Sequence, residues 1–197
     1  MVSRPPATWV EANAWDISSL WDSITKNHPS DHVISYYMLL VIFFEETAWC
    51  NITQAGTKGS LGVGFGQLEV SNPEKADFYE WMGLGRDYRP VAGMMRADNN
   101  FAVKVHCGYF QWLTDVMGKD IDGCLSAQVG SHTEYRALFK QGADMLEDAW
   151  NANDRNAYIT ALNHARWKSS KKNGIPANLF GDFYDFILPE TWFTLGY

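Results

Sequence analysis

Residues 33–44, VISYYMLLVIFF, form the most apolar run in the chain, and two adjacent carboxylates, Glu45 and Glu46, end it. At twelve residues the run is too short to span a bilayer and suits a buried core helix. Ser30 is the expected N-cap, Asp31 suits the first turn, and the helix is expected to run to about Cys50. Glu45 and Glu46 then fall near its C-terminal end. The helix dipole opposes negative charge there, and Phe43, Phe44, Ala48 and Trp49 surround them with apolar surface. Both effects raise a carboxyl pKa, and an acid kept protonated near neutrality can protonate a leaving-group oxygen. The plainer alternative is a Glu pair that faces water as the helix emerges. Helical periodicity does not choose between the two, since both have apolar neighbours three and four residues away.

The remainder reads as mainly α. A first helix is expected over 9–26, stopped by Asn27-His28-Pro29, with further helices over 73–83, 98–117, from Ser131 to about Trp150, and 153–167. Ser131 and Glu134 make a capping-box pattern, and NLFGDFYDFI closes the chain as an amphipathic segment. The helix over 98–117 is apolar nearly all round and is expected to be central. Glycines at 56, 59, 62, 64 and 66 mark a loop over 51–67, with room for one short hairpin. No repeat or linker divides the 197 residues, so one domain over 1–197 is expected, with its motifs at about 30–170.

A net charge of −7 and the absence of a basic stripe argue against a nucleic-acid partner; RWKSSKK at 166–172 reads as a solvated loop. Nine tryptophans are mostly core by expectation, and some could present flat faces to sugar rings. Three cysteines, without CxxC spacing, allow reduced thiols or one bridge with one left over. There is no HExxH, and Pro29 separates His28 from His32, so no metal or other cofactor is expected. His106 and Cys107 are read as core, as is Tyr109, which could otherwise face a cleft. A nucleophilic pairing of Cys50 with His106 or His164 has no local support. The start of the chain carries no apolar stretch like a secretion signal, which implies synthesis in the cytoplasm.

Glu46-Thr47 after an apolar helix, followed about twenty residues later by Gly64-Phe65-Gly66-Gln67, resembles the lysozyme superfamily, and within it the lytic transglycosylases and goose-type lysozymes. Leu68-Glu69 matches the apolar-acidic pair that follows this Gln in goose-type lysozymes. The resemblance implies a lysozyme-like fold, a helical bundle around a central apolar helix, with the glycine-rich loop or hairpin lining a cleft. It selects Glu46 over Glu45 as general acid. Thr47, Gly64, Phe65, Gly66 and Gln67 become substrate-binding positions. On this reading the glycines let a polysaccharide lie against backbone, and the Gln67 amide meets a sugar acetamide or the catalytic carboxyl. A nucleotide loop would need a strand before it and Gly-Lys-Ser/Thr at its end, and has neither. The family's Tyr-Asn-x-Gly motif maps to ITALNHARW, where Asn163 fits but Leu162 and Ala165 depart from it.

The activity implied is cleavage of the β-1,4 bond after N-acetylmuramic acid. A second carboxylate would come from Glu69 or Glu45. No Asp or Glu lies between Thr47 and Gln67, which tilts the reading toward the single-acid reaction that closes a 1,6-anhydro ring. The implied partner is peptidoglycan or a related amino-sugar polysaccharide, reached through a phage apparatus or a secretion machine, with room for an immunity or inhibitor protein. Two alternatives stand beside it. The charge of −7 suits cationic chitosan, hence a chitosanase or chitinase on the same scaffold. A non-catalytic glycan-binding or virion protein would keep the cleft without the chemistry. Chance coincidence of the two motifs would leave Glu46 and Gln67 far apart.

Overall fold

The structure, a computed structural model, describes residues 15–47, 49–55, 60–130, 133–154, 156–158, 160–162 and 164. It is mainly helical. In chain order it has α1 (Ile17–Asn27), α2 (Tyr36–Thr47), β1 (Thr53–Ala55), β2 (Leu61–Val63), β3 (Leu68–Glu69), a 3₁₀ turn (Pro73–Lys75), α3 (Ala76–Trp81), α4 (Tyr88–Ala97), α5 (Asn99–Asp115), α6 (Ile121–Val129) and α7 (Thr133–Ala152). Residues 156–158, 160–162 and 164 are also helical. No described helix is long and apolar enough to cross a membrane.

Every residue of α2 from Met38 to Phe44 is buried, as its unbroken apolar sequence requires. Burial of each large side chain is worth about 1.5–3 kcal/mol, so this helix supplies much of the core. It packs on α7 and α1, while α5, buried from Val105 to Phe110, takes α1 and α4 on its sides. The glycine-rich region forms a three-stranded antiparallel sheet in the order β1-β2-β3, pairing Thr53 with Val63 and Gly62 with Glu69. The expected hairpin is present, with one strand more.

Several boundaries differ from expectation. The first described helix begins at Ile17, because Asp16 is extended and its carboxylate caps Ser19 N–H at 2.9 Å. Ser35, not Ser30, caps α2, accepting from Met38 N–H at 3.2 Å. The chain needs residues 28–34 for a turn in which His32 Nδ1 accepts from Ile34 N–H at 3.0 Å. Helix α2 stops at Thr47, and Trp49 N–H reaches back to the Phe43 carbonyl at 3.4 Å. Helix α4 was not among the expected elements. Pro90 sits in its first turn, where no helical N–H bond is lost, and Asp87 caps it. Helix α6, capped by Asp120, was also not expected. Trp9, Ser131, RWKSSKK and NLFGDFYDFI lie outside the described residues.

The 28–34 turn holds two imidazoles, His28 and His32, packed edge to face with ring centroids 4.5 Å apart. His28 Nε2 donates to the Ile34 carbonyl at 2.7 Å, and His32 Nε2 meets the Thr114 hydroxyl at 3.0 Å. Burial pushes His28 down from 6.5 to about 4, against the Ile34 bond that favours its charged form; the nearby His32 adds to the depression. His32 is also lowered, chiefly by burial.

An unfolded chain protonates His28 near pH 6.5, well before the folded one. The stability of this turn is therefore full above pH 6.5 and is lost as pH falls toward 4, by on the order of 3 kcal/mol from His28 alone. Thermal melts between pH 7 and pH 4 should show this fall. His28→Gln, which cannot titrate, should have a shallower pH dependence despite a lower starting melting temperature.

Candidate functional site

The two motifs separated in sequence meet in space. The Thr47 hydroxyl lies 2.8 Å from the Phe65 carbonyl and 3.1 Å from that of Phe43 in its own helix. One hydroxyl carries one proton, and the shorter contact ties the end of α2 to the turn between β2 and β3. Glu46 thus stands one residue from a bond to the Gly64-Phe65-Gly66-Gln67 turn. The contact brings the two segments together, as the resemblance requires of them. Both Glu45 and Glu46 are half-buried, so burial class does not distinguish them.

Beneath the turn lies His106 of α5, 1% exposed. Its Nε2 accepts from Gly66 N–H at 3.2 Å, which places the proton of the neutral ring on Nδ1. Burial lowers this imidazole to about 3, outweighing a backbone contact at Val63 that favours charge, and the Lys75 cation adds to the lowering. The reading of His106 as core holds. It also supplies the reason for two glycines. A Cβ on Gly64, whose φ is +83°, would stand 2.8 Å from His106 Nε2, and one on Gly66 would be 3.1 Å from the same ring and 3.2 Å from Phe43. Gly62 makes room for Gln67, whose Oε1 would be 2.8 Å from a Cβ there. The glycines admit side chains of the protein itself rather than a polysaccharide.

The residues expected to bind substrate divide accordingly. Thr47, Gly64, Phe65 and Gly66 are buried, and Phe65 is fully so, stacked on Trp15 with centroids 5.7 Å apart. The Gln67 amide is committed to the turn, with Nε2 donating to Gly64 and Ile52 carbonyls at 2.8 and 3.1 Å. Its φ of 51° is the left-handed conformation that places it there. Asn163 lies outside the described residues.

A cleft of about 1440 Å³ adjoins the outer side of this turn. Gln67 and Glu69 line it, with Gln54, Asn72, Lys75, Tyr88, Tyr109, Trp112 and Gln128. Glu69 is exposed within it, whereas Glu45 and Glu46 are not among its lining residues. Gln128 on α6 donates its amide to the Gly66 carbonyl and so joins the cleft wall to the turn. Tyr109 is both core and lining: it is 5% exposed, and burial pushes its phenol up to about 12. Sequence reasoning missed Lys75, Trp112 and Gln128. A lysine in a Pro-Glu-Lys turn looks solvated, and only the tertiary packing buries it.

Other chemistries find less support. All three cysteines are buried thiols outside any disulfide, and desolvation raises Cys50 to about 12 and Cys124 to about 11, so neither is a thiolate near neutrality. The described residues contain no cluster of three or more His, Cys, Asp or Glu side chains able to hold a metal ion. Comparison with protein-family models, curated proteins and solved structures finds no significant match to this chain.

Two substitutions test the docking of the turn. Thr47→Val removes the hydroxyl and strands the buried Phe65 carbonyl, at an expected cost of about 1–3 kcal/mol in urea unfolding. Gly64→Ala places a side chain at positive φ against His106 and should cost at least as much, while Gly83→Ala meets open space and should cost only its backbone strain. Equal losses at 64 and 83 would mean that the imidazole does not set the fit.

Proposed function

We propose that the protein is a lysozyme-like glycosidase that cleaves peptidoglycan between N-acetylmuramic acid and N-acetylglucosamine, as a muramidase or lytic transglycosylase. The observation that carries this reading is the Thr47–Phe65 hydrogen bond, which joins the Glu-Thr helix end to the Gly-Phe-Gly-Gln turn. The turn in turn carries Gln67 and Glu69 into an open cleft with amide and aromatic lining suited to a polar, ring-bearing polymer. In this mechanism Glu46 protonates the leaving glycosidic oxygen. Glu69, exposed in the cleft, is the carboxylate available to activate water for hydrolysis. If it does not engage, Glu46 itself takes back a proton from the muramyl hydroxyl as the anhydro ring closes. Access to the wall would come through a phage or secretion apparatus.

A second reading has its own support. Glu46 lies outside the cleft lining and the Gln67 amide nitrogen is occupied by backbone carbonyls, which suits a glycan-binding protein without catalysis. Chitosan remains the other polymer to compare, given the acidic chain.

Digestion of purified peptidoglycan decides among these. Wild-type protein should release muropeptides, and Glu46→Gln should lower the rate by about 100-fold or more. Anhydro products point to a transglycosylase and reducing ends to a hydrolase, in which case Glu69→Gln should be slow as well. Binding without release, unchanged in Glu46→Gln, would replace the enzyme by the binding protein.

A further inference from the structure

Lys75 has an environment that an ordinary surface lysine does not. It ends the 3₁₀ turn Pro73–Lys75, is only 7% exposed, and lines the cleft. Its Nζ lies 4.8 Å from the centroid of the Tyr109 ring. Among the described residues no acceptor is hydrogen-bonded to the ammonium and no carboxylate stands within ion-pair distance of it. Glu69 and Glu74 favour its charge through space, yet burial outweighs them and lowers its pKa. The third nearby acid is engaged elsewhere: Asp77 pairs with Arg86 at 2.6 Å. A lysine more than nine-tenths buried usually has a carboxylate partner, because desolvating an ammonium is costly. Here the ring face compensates only partly, and the unfilled hydrogen-bonding capacity opens on a cleft.

We propose that Lys75 is the anion-recognition point of this cleft and receives a carboxylate carried by the bound glycan strand. The inference rests on the glycan reading above and refines it. An unpaired ammonium beside Tyr109 and Trp112 disfavours a cationic polymer such as chitosan at this position and leaves a neutral chitin strand without a partner for the charge. A muramic-acid strand offers two sources of the same chemistry, the lactyl carboxylate of a bare sugar and the carboxylates of an attached peptide. The contact is one of binding and selection, with no step in bond cleavage assigned to Lys75.

Calorimetric titration tests this in the Glu46→Gln background, so that the strand stays intact. The ligands are a neutral chitotetraose, a bare tetrasaccharide of alternating N-acetylglucosamine and N-acetylmuramic acid, its methyl ester, and the peptide-bearing form. A carboxylated strand should bind at least about ten-fold more tightly than its ester or the chitotetraose. The bare and peptide-bearing arms identify which carboxylate is read. Lys75→Met should remove the discrimination while keeping the residual affinity for chitotetraose. Equal binding of acid and ester overturns the proposal and leaves the glycan reading standing. Discrimination that survives in Lys75→Met also overturns it. Failure to bind any of the four ligands overturns both. The ester arm uses an unaltered Lys75, so the proposal stays testable if Lys75→Met fails to fold.

Discussion

The seating of the β2–β3 turn on the His106 imidazole is the contact on which the remaining arrangement depends. A neutral ring, buried to 1%, accepts a backbone N–H from Gly66 and fills the space that side chains at 64 and 66 would need. The imidazole is useful there because it combines aromatic bulk with one acceptor. A phenylalanine would pack but leave Gly66 N–H unsatisfied in the interior. Phe43 packs against the same ring with centroids 5.3 Å apart, and Phe65 against Phe43, so the turn is clamped from α5 and α2 together. Thr47 then closes the arrangement by bonding Phe65. Remove the imidazole and the sheet loses its registration on the helices, and with it the position of Gln67 and Glu69 in the cleft.

The end of α2 shows a second conflict between local preference and tertiary demand. Trp49 adopts φ 59°, a conformation that bulky residues rarely take. Hydrogen bonds hold it there, among them its backbone N–H to the Phe43 carbonyl, its indole to the Leu40 carbonyl at 3.0 Å, and its carbonyl from Trp15 N–H at 3.0 Å. Strain of this kind costs on the order of 1–3 kcal/mol and persists where surroundings over-determine it. It comes three residues after Glu46, the second of two glutamates placed near the negative end of a helix dipole. A chain selected only for stability has simpler endings available, such as a glycine C-cap with a lysine in the last turn. The coincidence of strain and ill-placed charge beside the Gly-Phe-Gly-Gln turn is what makes this helix end a place to look for chemistry.

Legibility in the sequence followed how local the governing interaction was. Helices α2 and α5 were readable because their apolar residues are continuous, and the stop at Asn27-His28-Pro29 because proline and its predecessor exclude helix. The exchange of Ser35 for Ser30 as cap was not readable, since it depends on His32 bonding to Ile34 N–H in three dimensions. Helix α4 went unread although Asp87 caps it and Pro90 falls in its first turn, where position within the helix matters more than residue type. The glycines of the turn were seen, but their partner is forty residues away in His106. Lys75 was invisible for the same reason. Its burial comes from Tyr109 on α5, and nothing in Pro-Glu-Lys announces it.

Net charge and local charge need to be kept apart when a partner is considered. The chain carries −7, which slows the approach of any polyanion by repulsion at long range. Within the cleft the balance differs. Glu69, Glu74 and Asp77 line it with Lys75 and Lys119, and Asp77 shares Arg86 with Glu80. That leaves the described lining only slightly acidic, with its one deeply buried charge positive. Screening over about 8 Å at physiological ionic strength separates these two scales. Distant surface carboxylates act on the rate of encounter, whereas a bound polymer feels the groups within a few ångströms of it. An acidic protein and an acidic ligand are therefore compatible when the contact surface carries its own cation, and the sign that matters for selection is that of Lys75.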